Sequence, residues 1–347
     1  MKLKRFLDVL AGMVTAGAVF YFGWSLAGFS LDLQEASLNF EHSVLQARLL
    51  GNITDNFSNQ RFFKKELNLV LVGDVMLSRE VRKRIEKNKD PNFPFLKMAD
   101  YLNAADIAFG NLEGPMSNRG KNQGSVYSFR ADPKAIEGLK FAGFNVMSIA
   151  NNHIFDWGKA ALVDTKNILE VKGIRAVGSG KNYEEANNPA MLEVKGQKVA
   201  FLAYTNLYPK SLMASENSAG VSDFSLDEVK KKISEAKAQA DLVVVSWHWG
   251  EEYKTKADDL QRKIAHEIVE AGADLVVGSH PHVPEEIEHY KKGWIFYSLG
   301  NFVFDQNFSD ETMGGLLVEV KVRGGEIKEV KPVRFKINQD FQPYLED

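Results

Sequence analysis

The chain has 347 residues, 44% hydrophobic and 26% charged, the make-up of a globular protein with room for one large domain or two ordinary ones. A formal charge of −3 supplies no basic footprint for a polyanion and argues against a nucleic-acid partner. With no cysteine, disulfides, thiolate metal sites and cysteine nucleophiles are excluded, and any metal chemistry falls to His, Asp, Glu and Asn.

In chain order, the first feature is an apolar segment behind a basic flank. Lys2, Lys4 and Arg5 precede a stretch from Val9 to Phe29 that carries no charge. As a helix rising about 1.5 Å per residue it spans roughly 30 Å, the thickness of a bilayer's hydrocarbon core. Tyr21 and Trp24 lie in its outer half, where aromatic belts form. The stretch is longer than the apolar core of an ordinary secretory leader, although "SLAGFS" offers a cleavage site of small residues. Residues 1–30 are therefore read as a cytoplasmic stub and transmembrane anchor. The positive-inside rule places the remainder outside the cytoplasm, as a single-pass cell-membrane protein. Residues 31 to about 50 have near-helical apolar spacing, read as a stalk helix with His42 on its solvated face. "GNITDNFSNQ" follows as a linker, so stalk and linker fill 31–66 and one domain fills 67–347.

From residue 67, short apolar strands alternate with helical patterns. "LNLVLVGD", "ADIAFGNLE", "FNVMSIANNH", "ADLVVVSWHWG" and "ADLVVGSHPH" read as strands, with helices expected over 133–142, 159–172, 225–239 and 256–271. This alternation predicts an α/β domain whose strands are buried on both faces. Toward the C-terminus, "GWIFYSLGNFVF" and "GGLLVEVKVRGGEIKEVKPVRFKI" read as strands around an "RGGE" turn. A last sheet, antiparallel or mixed, is expected there.

The chemistry collects just after the strands. The first ends at Asp74, the second at Asn111 and Glu113, and the third is followed by Asn151, Asn152, His153 and Asp156. The fourth leads to His248 and Glu252, the fifth to His280 and His282. Ligand sites in open α/β sheets form beyond the carboxyl ends of strands, so these five ends are expected to converge. Each cluster alone has a plainer reading: Asp and Asn after a strand form turns or caps, and a lone His beside Trp247 and Trp249 packs in a core. Together they point to a divalent-metal site of oxygen and imidazole ligands, suited to Mn, Fe, Zn or Mg. His280 and His282 face one side if the chain stays extended. A cation there polarises an ester or phosphoryl oxygen and lowers the pKa of bound water from 15.7 to about 7. The side chains of Asn152 and His153 are expected to diverge, one to a metal and one to donate a proton. Asp156 either orients that imidazole or caps the helix over 159–172. Asn301 and Asp305 either line the cleft or form a turn. Arg79 and Arg130 either clamp an anionic substrate or are solvated charges. Trp247 and Trp249 are expected to pack the site, and His266 and His289 to be structural.

In order, "VGDVMLSR", "GNLEGP", "ANNHIFDWG", "SWHWGEEY", "GSHPHV" and "YSLGNFVFDQ" resemble the signature segments of bacterial poly-γ-glutamate capsule-biosynthesis proteins, the CapA or PgsA type. That family is similar to the calcineurin-like metallophosphoesterases, which implies a sandwich of two mixed β-sheets flanked by helices and one or two divalent ions. By this resemblance Asp74 is the first metal-binding aspartate, and Glu113, or Asn111, takes the bridging position. Asn152 is a metal ligand, His153 the acid, and His248, His280 and His282 the remaining ligands. Asn111, Arg130, Glu252, Asn301 and Asp305 are left to meet substrate. Two departures stand out: Asp-x-His has Met76 in place of its histidine, and Gly-Asp-x-x-Asp is replaced by "GNLEGP". The resemblance implies capsular polymer biosynthesis with a metal-dependent hydrolytic site, with membrane polymer-synthase subunits as partners and an anionic envelope polymer or phosphoester as substrate. Action on other envelope phosphoesters, or a non-catalytic scaffold, are the alternatives.

Overall fold

The computed structural model describes residues 65–346. The anchor over 1–30, and the stalk helix with His42 and the linker ahead of residue 65, lie outside the described residues. Among the described residues no helix is long and apolar enough to cross a membrane. They fall within one compact unit, Arg61–Asp347.

The chain opens with β1 (Leu67–Val75), α1 (Arg79–Asn88), a 3-10 turn at Phe93–Phe95, α2 (Ala99–Asn103) and β2 (Ile107–Leu112). A long loop leads to α3 (Ile136–Phe141), β3 (Phe144–Ser148), α4 (Gly158–Val171), β4 (Arg175–Val177) and β5 (Ser179–Gly180). Next come α5 (Tyr183–Asn187), β6 (Ala190–Val194), β7 (Gln197–Thr205), β8 (Gly220–Val221), α6 (Leu226–Lys237) and β9 (Leu242–His248). The last part holds α7 (Asp259–Ala271), β10 (Leu275–Ser279), β11 (Ile287–Tyr290), β12 (Gly293–Phe296) and β13 (Asn301–Val303). It closes with β14 (Gly314–Arg323), β15 (Glu326–Ile337) and β16 (Pro343–Tyr344). The four expected helices are present; α7 starts at Asp259 because Asp258 and Gln261 form a reciprocal capping box there.

These strands build two mixed sheets and a small β5–β8 ribbon. The first sheet runs β16-β15-β14-β1-β2-β3-β4, with β13 also paired to β1, and the second runs β11-β12-β10-β9-β7-β6. The apolar strands are buried on both faces, as their continuous hydrophobic runs require. In β1, Leu67, Leu69 and Leu71 face the second sheet, where they pack in one core with Phe201, Val244 and Val277. Val70 and Val72 point the other way, into a core with α1, α2 and α4. The outer face of the second sheet is covered by α6 and α7 through Val229, Ile233, Ile264 and Ile268. The result is four layers, helix–sheet–sheet–helix, the two-sheet sandwich flanked by helices that the resemblance implies.

The C-terminal strands differ from the expectation of a sheet of their own. β14 pairs antiparallel with β1, and β13 pairs parallel with it, so the end of the chain completes the first sheet. The reason is backbone satisfaction: β1 has β2 on one side and needs a partner on the other. "GWIFYSLGNFVF" is divided between the two sheets. β12 belongs to the second sheet and β13 to the first, and Tyr297–Gly300 crosses between them. The crossing is close: a Cβ on Gly73 would stand 1.9 Å from the Gly300 carbonyl oxygen. Only glycine admits that approach.

Candidate metal centre

Register decides what meets at the carboxyl ends. Asp74 of β1 pairs across to Asn111 of β2 and to Asn301 of β13, while His248 of β9 pairs with Ser279 of β10. One row of polar residues from each sheet is thus set at the same end of the sandwich. Asn111 Nδ2 donates to Asp74 Oδ1 at 2.8 Å and lies 3.3 Å from His248 Nδ1, so the two rows touch. His248 Nε2 is 2.8 Å from Asn152 Oδ1, and its Nδ1 is 2.9 Å from Ser279 Oγ. His282 Nδ1 lies 3.4 Å from Asp74 Oδ2 and 3.1 Å from Asn301 Oδ1.

Two triads hold their ligand atoms within 4.8 Å of one another: Asp74 with Glu113 and His248, and Glu252 with His280 and His282. Glu113 is buried, yet neither carboxylate oxygen has a hydrogen-bond partner. Oε1 is 3.8 Å from His282 Nε2 and 3.9 Å from His153 Nε2. His280 Nδ1 is also buried without a partner. Orphaned buried groups of this kind are costly and rare, and a cation in each triad would satisfy the orphan that belongs to it. The residues present therefore fit a divalent ion held by oxygen and imidazole ligands.

Electrostatics agree with that fit. Burial, reinforced by Asp74 and then Glu252, pushes the Glu113 carboxyl well above its ordinary range. Burial, reinforced by His280 and His282, holds His248 well below the usual imidazole range. Burial and then His282 bring His280 down to about 3. Both shifts favour the neutral imidazole at His248 and His280, the form in which a ring nitrogen binds a metal.

His280 and His282 do not share their target by strand alternation. β10 stops at Ser279, and the two residues sit at φ 99° and 61°, so the chain turns sharply instead of staying extended. The turn is held by Asp74 Oδ2, which accepts from the His280 amide at 3.2 Å. Asn152 and His153 lie in a turn and not in extended backbone, and both reach the cluster, Asn152 at His248 and His153 with Nε2 3.9 Å from Glu113 Oε1. His153 Nδ1 lies 2.7 Å from Asp156 Oδ2, which also accepts from the Phe129 amide at 2.7 Å. The N-cap of α4 is Trp157 with no side-chain bond, so Asp156 orients the imidazole and does not cap the helix.

The family described as "Bacterial capsule synthesis protein PGA_cap" matches residues 68–306. This chain belongs to that family. Capsule biosynthesis protein CapA of Bacillus anthracis is 36% identical over 283 residues, covering 78% of this chain and 68% of the relative. The PGA biosynthesis protein CapA of Bacillus subtilis is 36% identical over 273 residues, covering 77% and 71%. A hypothetical protein from Thermus thermophilus has a crystal structure that superposes at TM-score 0.50 with 17% identity, covering 78% of this chain and 99% of that one, a likeness of fold alone.

Within this PGA_cap chain, the departure at Met76 has a structural outcome. Met76 is fully buried, and its sulfur accepts from the Ser78 amide at 3.1 Å and the Ser78 hydroxyl at 2.9 Å. That position takes no part in the cluster. Glu252, expected to meet substrate, instead brings its carboxylate to His280 and His282. Two other residues expected to meet substrate are engaged elsewhere. Asp305 Oδ2 accepts from the Glu80 amide at 3.0 Å and pairs with Arg79 at 3.2 Å, holding the start of α1. Arg130 stacks over Trp157 at 3.9 Å and donates through Nε to the Ser117 carbonyl. Trp247 and Trp249 pack in the core under α6 and α7. His266 stacks on Tyr290 and His289 on Trp294, away from the cluster.

Sequence reasoning missed Ser279, which meets His248, and Phe129, whose ring stacks on His153 at 3.9 Å. Ser279 was within reach, because "SWH" and "GSH" end neighbouring strands in the same register. Phe129 sits in a loop with no local pattern to mark it.

Proposed function

We propose that this capsule-family protein is a metal-dependent hydrolase of capsular polymer biosynthesis, acting on a poly-γ-glutamate-like polymer or a phosphoester of its assembly. Its apolar Val9–Phe29 segment serves as a membrane anchor with the catalytic domain outside the cytoplasm, beside membrane polymer-synthase subunits. The observation that carries the reading is Glu113, a buried carboxylate with two unpartnered oxygens next to Asp74 and His248.

Asp74, Glu113, Asn152 and His248 would hold one ion, and Glu252, His280 and His282 the groups for a second. A divalent ion so held supplies Lewis-acid polarisation of the scissile group and a nucleophilic water at neutral pH. The protein's own residues do the rest. Asp156 accepts from His153 Nδ1 and so fixes the tautomer that turns Nε2 toward Glu113 and the cluster. A protonated His153 in this orientation delivers its Nε2 proton to the leaving group. Phe129 closes one side of the imidazole against water. Asn111 and Ser279 hold Asp74 and His248 in place from behind.

The test is elemental analysis of the purified protein beside a His280→Ala/His282→Ala variant, followed by phosphoester hydrolysis by wild type and His153→Ala. About one or two divalent ions per chain, reduced in the double variant, with turnover lost in His153→Ala, is the expected result. No bound metal after reconstitution overturns the reading. Unchanged polymer output from cells carrying His153→Ala would assign a scaffold role instead.

A further inference from the structure

Tyr253 is an unusual residue to find at the lip of the cluster. Its neighbour Glu252 contributes to the second triad, and its own ring lies 6.2 Å from the His282 ring. It is 43% exposed and meets Phe308, itself 63% exposed, edge to face at 5.1 Å and 85°. Two large aromatic rings thus stand open to solvent at right angles, forming a corner. Burying those rings would be favourable, so leaving them exposed is a cost.

The Tyr253 side of the corner is also held in place. The Tyr253 amide donates to the Pro281 carbonyl at 2.8 Å, between the two ligand histidines. The Tyr253 hydroxyl accepts from Gln306 Nε2 at 3.2 Å, and Gln306 Oε1 accepts from Asn301 Nδ2 at 3.1 Å. Asn301 Oδ1 is the atom that faces His282 Nδ1, so the ring of contacts closes on the cluster. Tyr253 sits at φ 64°, a left-handed conformation that costs a side chain with a Cβ and persists only where surroundings enforce it. Three such residues occur here, Tyr253, His280 and His282, and the bond to Pro281 ties the first to the turn that carries the other two.

We propose that Tyr253 and Phe308 form a substrate subsite, a specificity corner that takes a planar or ring-sized group of an anionic ester whose charged end lies at the metal cluster. The proposal rests on the hydrolase reading for the charged end and deepens it by naming what lies beyond. A compact alkyl ester leaves the corner empty, whereas a ring fills it and stacks.

The experiment is calorimetric titration of the full-length, metal-reconstituted protein with phenyl phosphate and methyl phosphate, in a His153→Ala background that suppresses turnover. Phenyl phosphate is expected to bind about tenfold tighter than methyl phosphate, the scale of one aromatic contact plus its buried area. Tyr253→Gly removes the ring while relieving the positive φ, and should bring the two affinities to about parity. Tyr253→Phe should keep the preference. Equal binding in the parent, or an unchanged preference in Tyr253→Gly with metal content intact, overturns the proposal. If Tyr253→Gly loses its metal, Phe308→Leu decides: a reduced preference supports the corner and an unchanged one overturns it. Absence of binding by either ester also overturns it. Preferential phenyl phosphate binding without turnover when His153 is intact would reject the hydrolase reading alone and leave the corner supported.

Discussion

Glu113 concentrates the cost and the use of this site in one side chain. Its carboxyl is pushed well above the ordinary 4.5, so the folded metal-free protein keeps a proton that the unfolded chain has released. Metal-free stability therefore falls as pH rises from about 4.5 through the raised folded value. A cation favours the ionised form and reverses this. Below the raised folded value, metal binding is expected to release more protons from wild type than from Glu113→Gln, an excess that shrinks as pH rises, read by calorimetry in two buffers of unlike ionisation heat. His280, already neutral because burial takes it to about 3, adds nothing to that difference. Asp156→Asn makes a second test at this scale. It replaces the carboxylate with a neutral amide whose NH2 can face Nδ1 and reverse the His153 tautomer, so kcat for ester hydrolysis should fall about 100-fold while bound metal is retained. Equal loss of metal and activity would place Asp156 in the structural support of the cluster.

At the scale of elements, the site depends on β1 being clamped between β2 and β13. Gly73→Ala would drive a Cβ into the Gly300 carbonyl, and there is no flexible side chain there to yield. The variant should lose about 3 kcal/mol or more in urea denaturation, and metal with it, because Asp74 and Asn301 pair across the same contact. The elements themselves were legible, since helical periodicity and continuous apolar runs place α3, α4, α6, α7 and the strands before the cluster. So was the gathering of Asp74, Asn111, Glu113, His248, His280 and His282, because strand ends of parallel sheets share one side. What sequence could not carry was pairing at long range. Nothing local in β13 or β14 says that it adds to β1, or that the chain turns at His280. Asp305 shows the limit well: nothing in the sequence says that its Oδ2 meets the amide of Glu80 and the guanidinium of Arg79 while Oδ1 stays buried without a partner.

At the scale of the molecule, the two sheets share one inner core. Phe109 of β2 and Phe201 of β7 stack across it at 5.6 Å and 13°. Phe109→Ala should cost about 3–5 kcal/mol and weaken both sheets together. Tryptophan fluorescence, with Trp294 beside this core and Trp247 and Trp249 behind the second sheet, should then shift in step with far-ultraviolet dichroism along a urea gradient. Two separated transitions would mean that the sheets unfold independently.

The seating of β1 between an early strand and two late ones also sets an order of events. The His280 amide reaches Asp74 across 206 positions of sequence, so the contact that ties β1 to the His280 turn closes only when distant parts of the chain have met. Such distant closures are slow to form. An ion held there would meet a structure already closed over these distances and would act as a latch, slowing the opening of the sandwich more than it speeds its assembly.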